Sequence, residues 1–220
     1  MSFLQKILSY LYPIIIHQIP SERSGALEVT LVNGKLVIDS KNANYSYGSL
    51  QKVLKKGILQ FDREKLQQCK EVLILGVAGG SIIETLQDDF KLTDAKITGV
   101  EIDEDVLELA KTYFNIDKKR NVNLIVADAF EFIKTTNKTY DLIVIDIFND
   151  SEMPKQVFEN YFWSEIYNLL NLNGLCLLNS IIGSRENAQR NEMLNQFLEQ
   201  KFKICTRKKT AINELFILEK

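Results

Sequence analysis

This chain has few of the residues that build metal centres and disulfide frameworks. Its 220 residues include one histidine and three cysteines, and Cys69, Cys176 and Cys205 lie far apart without a C-x-x-C spacing. This distribution excludes the common zinc and disulfide patterns and is typical of reduced thiols, so we expect no metal and a cytoplasmic location. The lone His17 lies in an apolar run and is predicted to be structural or on the surface rather than catalytic.

The chain also lacks a strong charge of either sign and a long apolar run. Its formal net charge is -2, which gives no general attraction to nucleic acid. The basic cluster at 207–209 is predicted to be a solvated hairpin loop rather than an RNA contact. Segment 3–16 is apolar, but Lys6 interrupts it, it is too short to cross a bilayer, and no signal-peptide cleavage site follows. We therefore expect neither a nucleic acid nor a membrane as a partner.

Residues 1–60 are predicted to form a small N-terminal region built around a β-hairpin. Asn33 and Gly34 stand between two alternating apolar runs, a pattern typical of a two-residue hairpin turn. The apolar residues of segment 3–16 predict an amphipathic helix that packs on the core or on a second subunit. Because a short hairpin cannot cover them all, we expect a homo-oligomer, most simply a dimer. The elements expected here are a helix near 3–11, strands at 26–32 and 35–39, and a helix at 49–59.

Residues 61–220 alternate between strand and helix patterns, which predicts a larger α/β domain. Short unbroken apolar runs are typical of parallel strands that are buried on both faces. The last two runs have only a turn between them and are predicted to pair antiparallel at one edge of the sheet. The expected strands are 71–75, 96–100, 122–126, 141–146 and 174–179, the expected helices are near 81–89, 103–114, 129–135, 158–171 and 185–199, and the edge strands are near 202–207 and 212–218.

A glycine-rich turn follows the predicted strand 71–75. Gly76 and Gly80 permit tight backbone geometry and close approach of a ligand to the N–H groups of the following helix. Glu101 ends the next predicted strand, where a carboxylate can accept both hydrogen bonds of a ribose diol. The turn has the pattern G-x-x-G-G, with Ala78 at its centre, and not the G-x-G-x-x-G of dinucleotide sites. It favours S-adenosylmethionine, a cofactor without phosphate.

Two further carboxylates end predicted strands at the same edge of the sheet, where ligands bind in such folds. Asp128 could accept a hydrogen bond from the adenine amine, with the Ala129 N–H as the complementary donor, or it could only cap the following helix. Asp146 could bind the ammonium group of the cofactor, or it could act as a general base on an incoming amine or hydroxyl. The candidate cofactor-binding residues are Gly76, Gly80, Glu101, Ile102, Asp128 and Ala129, and the candidate catalytic residue is Asp146.

From about residue 27 to residue 218, the chain resembles the spermidine synthase superfamily. Segments 100–106, 127–132 and 140–146 match that family's ribose, adenine and central-strand motifs in order and spacing, and segment 45–50 resembles the family's connection between its N-terminal hairpins and its catalytic domain. The resemblance implies a class I methyltransferase-like Rossmann fold with a small N-terminal β domain. It also implies assembly as a dimer or tetramer.

Three departures from the family pattern concern the diamine acceptor and the donor's charged tail. Gly79 stands where the family's glycine turn has an aspartate, Asn149 stands where its second central aspartate belongs, and segment 47–49 reads Tyr-Gly-Ser instead of Tyr-Gln-Glu. A doubly charged diamine needs several carboxylates to replace its water shell. Asp150 and Glu152 are the neighbouring acids that could replace the missing ones.

The departures therefore favour the superfamily's S-adenosylmethionine-dependent methyltransferase branch. The chain is similar to that branch at Pro154, Phe158, Phe162 and Asn179. The expected function is methyl transfer to an unidentified small or medium acceptor, a small molecule. One alternative is polyamine aminopropyl transfer from decarboxylated S-adenosylmethionine. A second alternative is a protein that binds the cofactor without catalysis.

Overall fold

The structure, a computed structural model, describes residues 2–40, 44–46, 48–149 and 152–220. These residues form a small antiparallel sheet, followed along the chain by a large sheet with helices on its faces. The small sheet contains four strands in the order β1-β2-β3-β4. They are β1 (Ile14–Ser21), β2 (Gly25–Val32), β3 (Lys35–Ser40) and β4 (Asn44–Ser46).

The hairpin predicted at Asn33 and Gly34 is present between β2 and β3. Both turn residues have a positive φ, 49° and 74°, as a two-residue hairpin turn requires. Helix α1 (Phe3–Leu8) ends before the predicted boundary at residue 11, because Ser9 is its C-cap and the Ser9 carbonyl accepts the N–H of Asn33 in the hairpin turn. The structure also adds two strands to the predicted hairpin, one on each side.

The large sheet has seven strands in the order β10-β11-β9-β8-β5-β6-β7. Strands β5 to β9 are parallel to one another, and the β10–β11 hairpin adds to β9 as an antiparallel edge. The predicted α/β class, with a mostly parallel sheet and an antiparallel C-terminal edge, is confirmed. The strands are β5 (Glu71–Leu75), β6 (Lys96–Glu101), β7 (Val122–Val126), β8 (Tyr140–Ile145), β9 (Leu170–Ile181), β10 (Ile204–Lys209) and β11 (Asn213–Glu219).

In the described part of the chain, seven further α-helices follow α1. Most lie where the apolar periodicity predicts them. The helix that follows the glycine turn continues as a π-helical turn at Thr85–Asp89. The helices are α2 (Gly48–Ile58), α3 (Arg63–Gln68), α4 (Ser81–Glu84), α5 (Glu104–Phe114), α6 (Ala129–Thr135), α7 (Asn160–Leu169) and α8 (Arg185–Lys201).

Two predictions for the large domain also differ from the structure. The helix expected at 158–171 is shorter, because Leu170 already pairs with Tyr140 and begins β9. The basic cluster at 207–209 is not a loop, since it lies within β10. Arg207 pairs across the hairpin with Phe216 and forms a 2.9 Å ion pair with Glu192.

One hydrophobic cluster includes buried residues from both sheets. It contains Leu27 and Ile38 of the small sheet and Leu177 of the large sheet. Leu54 of α2, the helix that connects the two sheets along the chain, belongs to the same cluster. At Gly57, an added Cβ would lie 2.6 Å from Cδ1 of Leu177. Helix α2 therefore contacts β9 closely, and the small sheet shares a hydrophobic cluster with the large one.

The cysteines remain thiols in the structure. Cys69 and Cys176 are buried, and burial raises the pKa of Cys69 to about 12. Within the described ranges, no group of three His, Cys, Asp or Glu side chains is placed to hold a metal ion. No described helix has both the length and the apolar character needed to cross a membrane.

Candidate active site

A cavity of about 1650 Å³ lies where β5, β6 and β8 end. Parallel strands of such a sheet open their carboxyl ends to the ligand crevice. Most of the residues predicted from the sequence line it: Gly76, Glu101, Ile102, Asp128, Ala129 and Asp146. Gly80 is not among the described residues that line this cavity.

The two glycines of the turn are required for different reasons. Gly76 has a φ of 87°, and an added Cβ would lie 2.1 Å from the backbone oxygen of Asp146. Gly80 has a φ of 83°, and its Cβ would lie 2.4 Å from Cγ2 of Ile116. Gly76 therefore allows the turn to approach Asp146, whereas Gly80 allows it to approach the segment after α5.

The carboxylate of Glu101 organises the glycine turn. One oxygen accepts the N–H groups of Val77 at 3.1 Å and Ala78 at 2.9 Å, and the other accepts those of Ile102 at 2.9 Å and Asp103 at 3.2 Å. Glu101 is 8% exposed, and burial raises the pKa of its carboxyl, although these N–H groups favour the charged form. The side chain thus joins the ends of β5 and β6.

Asp128 is the N-cap of α6. Its Oδ1 accepts the N–H groups of Phe130 at 2.7 Å and Glu131 at 3.3 Å. Capping was one of two roles considered from the sequence, and the structure shows it directly. Asp128 and Ala129 also line the cavity, so the adenine role stays a prediction.

Asp146 follows β8 and is paired with a side chain of the next strand. Nδ2 of Asn179 in β9 donates a 2.9 Å hydrogen bond to Oδ1 of Asp146. Asp146 is half-buried, and loss of water around its carboxyl raises its pKa to about 6; the nearby charge of Glu101 adds to the rise, and the bond from Asn179 opposes it. Among the described residues, no partner is found for the buried Oδ1 of Asn179.

Sequence reasoning did not assign a site role to Asn179. It is a polar residue near the carboxyl end of an apolar strand, the same pattern that identified Asp128 and Asp146. That pattern could have found it. The small sheet forms another wall of the cavity, and no sequence pattern indicated it, because it depends on how two distant segments pack. This wall consists of Val32, Asn33, Val37 and Asp39, with Arg23 from the β1–β2 turn.

The loop after Asp146 supplies an apolar wall next to it. Ile147, Phe148, Met153 and Pro154 line the cavity, and so does Glu152. Backbone hydrogen bonds of 2.8 and 3.0 Å join Asn149 and Glu152. Tyr47 and Asp150 lie outside the described residues, as does the side chain of Ser49.

Comparison with known proteins places the chain in a family. Residues 51–213 match the family described as "Spermine/spermidine synthase domain". A polyamine aminopropyltransferase of Thermococcus onnurineus is 34% identical over 111 residues, which cover 48% of this chain and 38% of that relative. An eEF1A lysine and N-terminal methyltransferase of Xenopus laevis is 29% identical over 143 residues, or 59% of this chain and 20% of the relative. The chain thus spans well under half the length of these relatives.

A solved structure shares the architecture. A spermidine synthase, crystallised with the transition state analogue AdoDATO, aligns with a TM-score of 0.71 at 14% sequence identity, over 93% of this chain and 73% of that chain. At this identity the likeness shows the fold alone. It confirms the expected class I methyltransferase-like arrangement.

The sequence-based expectation of a methyltransferase with an unidentified acceptor is wrong. Several curated relatives are named polyamine aminopropyltransferase, and the matching family model is that of the spermine and spermidine synthases. The departures at Gly79 and Asn149 do not exclude a polyamine acceptor, because a missing acid at one position leaves room for another carboxylate in the same cavity. The resemblance noted in the sequence is confirmed, and the chain belongs to the spermine/spermidine synthase domain family.

Proposed function

We propose that this chain is a transferase that moves an aminopropyl group from decarboxylated S-adenosylmethionine to an amine acceptor of the polyamine type. The observation that carries the proposal is the carboxyl of Asp146, whose pKa is raised to about 6 and which lines the cavity beside the glycine turn. A base that titrates near neutral pH is suited to take a proton from a reacting group. The relatives named above support the same reaction class.

The donor would bind at the ends of β5 and β6 and at the start of α6. Glu101 supplies the carboxylate for the ribose diol, whose hydroxyls would replace part of its bonds to backbone N–H groups. Both capping bonds of Asp128 go to Oδ1, which leaves Oδ2 for the adenine amine. Gly76, Ile102 and Ala129 would complete this part of the pocket.

The donor, when bound, supplies an electrophilic carbon next to a positively charged sulfur. The acceptor nitrogen attacks this carbon, so a C–N bond forms while the C–S bond breaks and its electron pair stays on sulfur. An alkylammonium titrates at about 10 in water, so the acceptor arrives protonated. The Asp146 carboxylate binds this ammonium group and takes one proton before the attack, which frees the lone pair of the nitrogen, and Asn179 orients the carboxylate.

The apolar wall beside Asp146 suits the methylene chain of such an acceptor. Phe148 and Met153 exclude water near the reacting nitrogen, which strengthens the attraction between the ammonium group and the carboxylate. Glu152 lines the same cavity and would bind a second, distal ammonium group. It would then serve in place of the acids that the family carries at the positions of Gly79 and Asn149.

The test is an assay with two donors and a set of amines. The full chain is incubated with decarboxylated S-adenosylmethionine and diamines of different length, and products are identified by mass spectrometry. We expect 5′-methylthioadenosine and the aminopropylated amine in equal amounts. Transfer only from S-adenosylmethionine itself, or ligand binding without any transfer, would refute the proposal.

A further inference from the structure

The turn between β1 and β2 contacts the end of β6 through side chains that are far apart in sequence. Oγ of Ser21 donates a 2.7 Å hydrogen bond to Oδ2 of Asp103, and Oγ of Ser24 donates a 2.5 Å hydrogen bond to the same oxygen. Ser21 is 6% exposed and Asp103 is 3% exposed. We call these three residues the hairpin latch.

Asp103 connects the hairpin latch to the carboxylate of Glu101. Its backbone N–H donates to Oε1 of Glu101 at 3.2 Å, and its Oδ1 accepts the N–H of Asp105 at 3.0 Å as the N-cap of α5. The two side-chain oxygens of Asp103 are therefore held by different elements. Its backbone position in turn determines where one oxygen of Glu101 lies.

The turn is also organised internally. Besides donating to Asp103, Oγ of Ser21 accepts the backbone N–H groups of Arg23 and Ser24, both at 3.2 Å. One donor and two acceptor positions are all that a serine hydroxyl has, so this group is fully used. Arg23, which stands between the two serines, lines the cavity together with Glu101 and Ile102.

We propose that the hairpin latch is a positioning device of the donor pocket, by which the N-terminal sheet holds the Glu101–Asp103 backbone in the geometry that binds the donor's ribose. The inference rests on the proposed function, since it assumes an adenosyl donor at Glu101. Ser21, Ser24 and Asp103 act through Glu101 and do not themselves touch the donor. A latch that only joined the two sheets would alter stability and leave ligand affinity unchanged.

The test measures affinity and stability separately. Binding of 5′-methylthioadenosine, the nucleoside part common to adenosyl donors, is measured by calorimetry for wild type and for the double variant Ser21→Ala, Ser24→Ala. We expect the double variant to bind about tenfold more weakly, as the loss of charge-assisted hydrogen bonds predicts. In the transfer assay, KM for the donor rises while kcat at saturating donor is unchanged.

Ser9→Ala is the matched control. Its Oγ is another buried serine hydroxyl of the N-terminal region, but it donates to the Lys6 carbonyl and accepts the Gly34 N–H, away from Asp103. It should lower the melting temperature without changing ligand affinity. Restoring a hydroxyl as threonine at position 24 of the double variant should recover part of the affinity.

The results separate a failure of the hairpin latch from a failure of the proposed function. Equal affinity in the double variant and in wild type would overturn the hairpin latch and leave the proposed function standing. No binding to wild type would overturn both. If the double variant does not fold, Ser24→Ala alone is measured, and since Ser24 is only half-buried, its unchanged affinity would count against the latch in the same way.

Discussion

Asn179 and Asp146 form a side-chain pair across adjacent parallel strands, joined by a 2.9 Å hydrogen bond from Nδ2 to Oδ1. Both residues line the cavity, and the NH2 group of Asn179 faces the carboxylate. The amide oxygen of Asn179 is buried and has no partner among the described residues. An unsatisfied buried acceptor is unfavourable by about 1–3 kcal/mol. An ammonium group bound at Asp146 would supply the missing donor.

Replacement of Asp146 by asparagine should reduce transfer by about 10²- to 10⁴-fold, the usual contribution of a general base. The same change should raise stability at pH 7 by about 1–3 kcal/mol, because it removes a charge that is unfavourable in this site. Transfer rates and denaturant unfolding of the two proteins check both parts.

Asp141→Asn is the control for that variant, because Asp141 lies at the opposite end of the same strand. Its carboxylate accepts the N–H groups of Lys70 and Glu71 and a hydrogen bond from Asn171, and these bonds lower its pKa. This variant should lose stability and keep its rate. Equal rates for the Asp146 variant and wild type would exclude Asp146 as the base.

The rate should fall as the pH is lowered through about 6, since Asp146 must be ionised to accept a proton. Stability should change in the opposite sense. The folded state holds this proton up to about pH 6, whereas the unfolded state releases it near 3.8, so the contribution of Asp146 to stability, measured against the Asp146→Asn variant, increases as the pH falls from 6 toward 4. Rate profiles and melting temperatures across this range test the two signs, and a flat rate profile between pH 5 and 7 would contradict the assignment.

Asn179→Ala should move the acidic limb of the rate profile to higher pH. Loss of the amide donor removes the contact that lowers the pKa of Asp146 and leaves burial and the charge of Glu101, which raise it. Asn195→Ala is the control, because Asn195 is a buried asparagine on α8 that donates to Glu199. A limb that stays in place in the Asn179 variant would show that this hydrogen bond does not influence Asp146.

Gly76→Ala should destabilise the chain more than Gly25→Ala does. Both glycines have a positive φ, 87° and 72°, so both changes introduce backbone strain of about 1–2 kcal/mol. At Gly25 an added Cβ meets nothing within 4 Å, whereas at Gly76 it meets the backbone oxygen of Asp146. The clash should add about 1–3 kcal/mol and displace Asp146. Denaturant unfolding gives the difference, and equal losses would show that the turn yields without strain.

A dimer through the N-terminal segment stays a prediction. Phe3, Leu4 and Leu11 are 81%, 64% and 79% exposed, and apolar side chains in such a group favour contact with a second copy. Light scattering should give twice the 25.3 kDa chain mass, and Phe3→Ser with Leu11→Ser should give the chain mass. Leu172→Ser, at an 83% exposed position, is the control. A monomeric wild type at micromolar concentration would contradict the prediction.

The sequence predicted the large sheet because its strands are short apolar runs that carry their own pattern. It also predicted the carboxylates at the strand ends, since polar residues directly after such runs lie at one edge of the sheet. It did not predict that Glu101 would bind four backbone N–H groups, because that depends on the exact path of the glycine turn. For the same reason it gave no indication of the contact between Ser21 and Asp103.

The reaction was predicted wrongly for a related reason. Family motifs at Gly79 and Asn149 report on single positions, whereas a cavity is lined by charged groups from several segments. Glu152 and Asp39 both line the cavity, one from the loop after β8 and one from the small sheet. Only the three-dimensional arrangement shows that acids from such different parts of the chain share one space.

The close contact between Gly57 and Leu177 links the folding of the N-terminal region to that of the large sheet. The contact between helix α2 and Leu177 requires β9 to be in place, and the small sheet shares its hydrophobic cluster with that helix. Residues 1–60 therefore gain little stability by ordering on their own. Their contacts with β9 close a long loop of chain, which costs entropy. We therefore expect the N-terminal region to become native after β9, so that the cavity wall formed by the small sheet is completed late in folding.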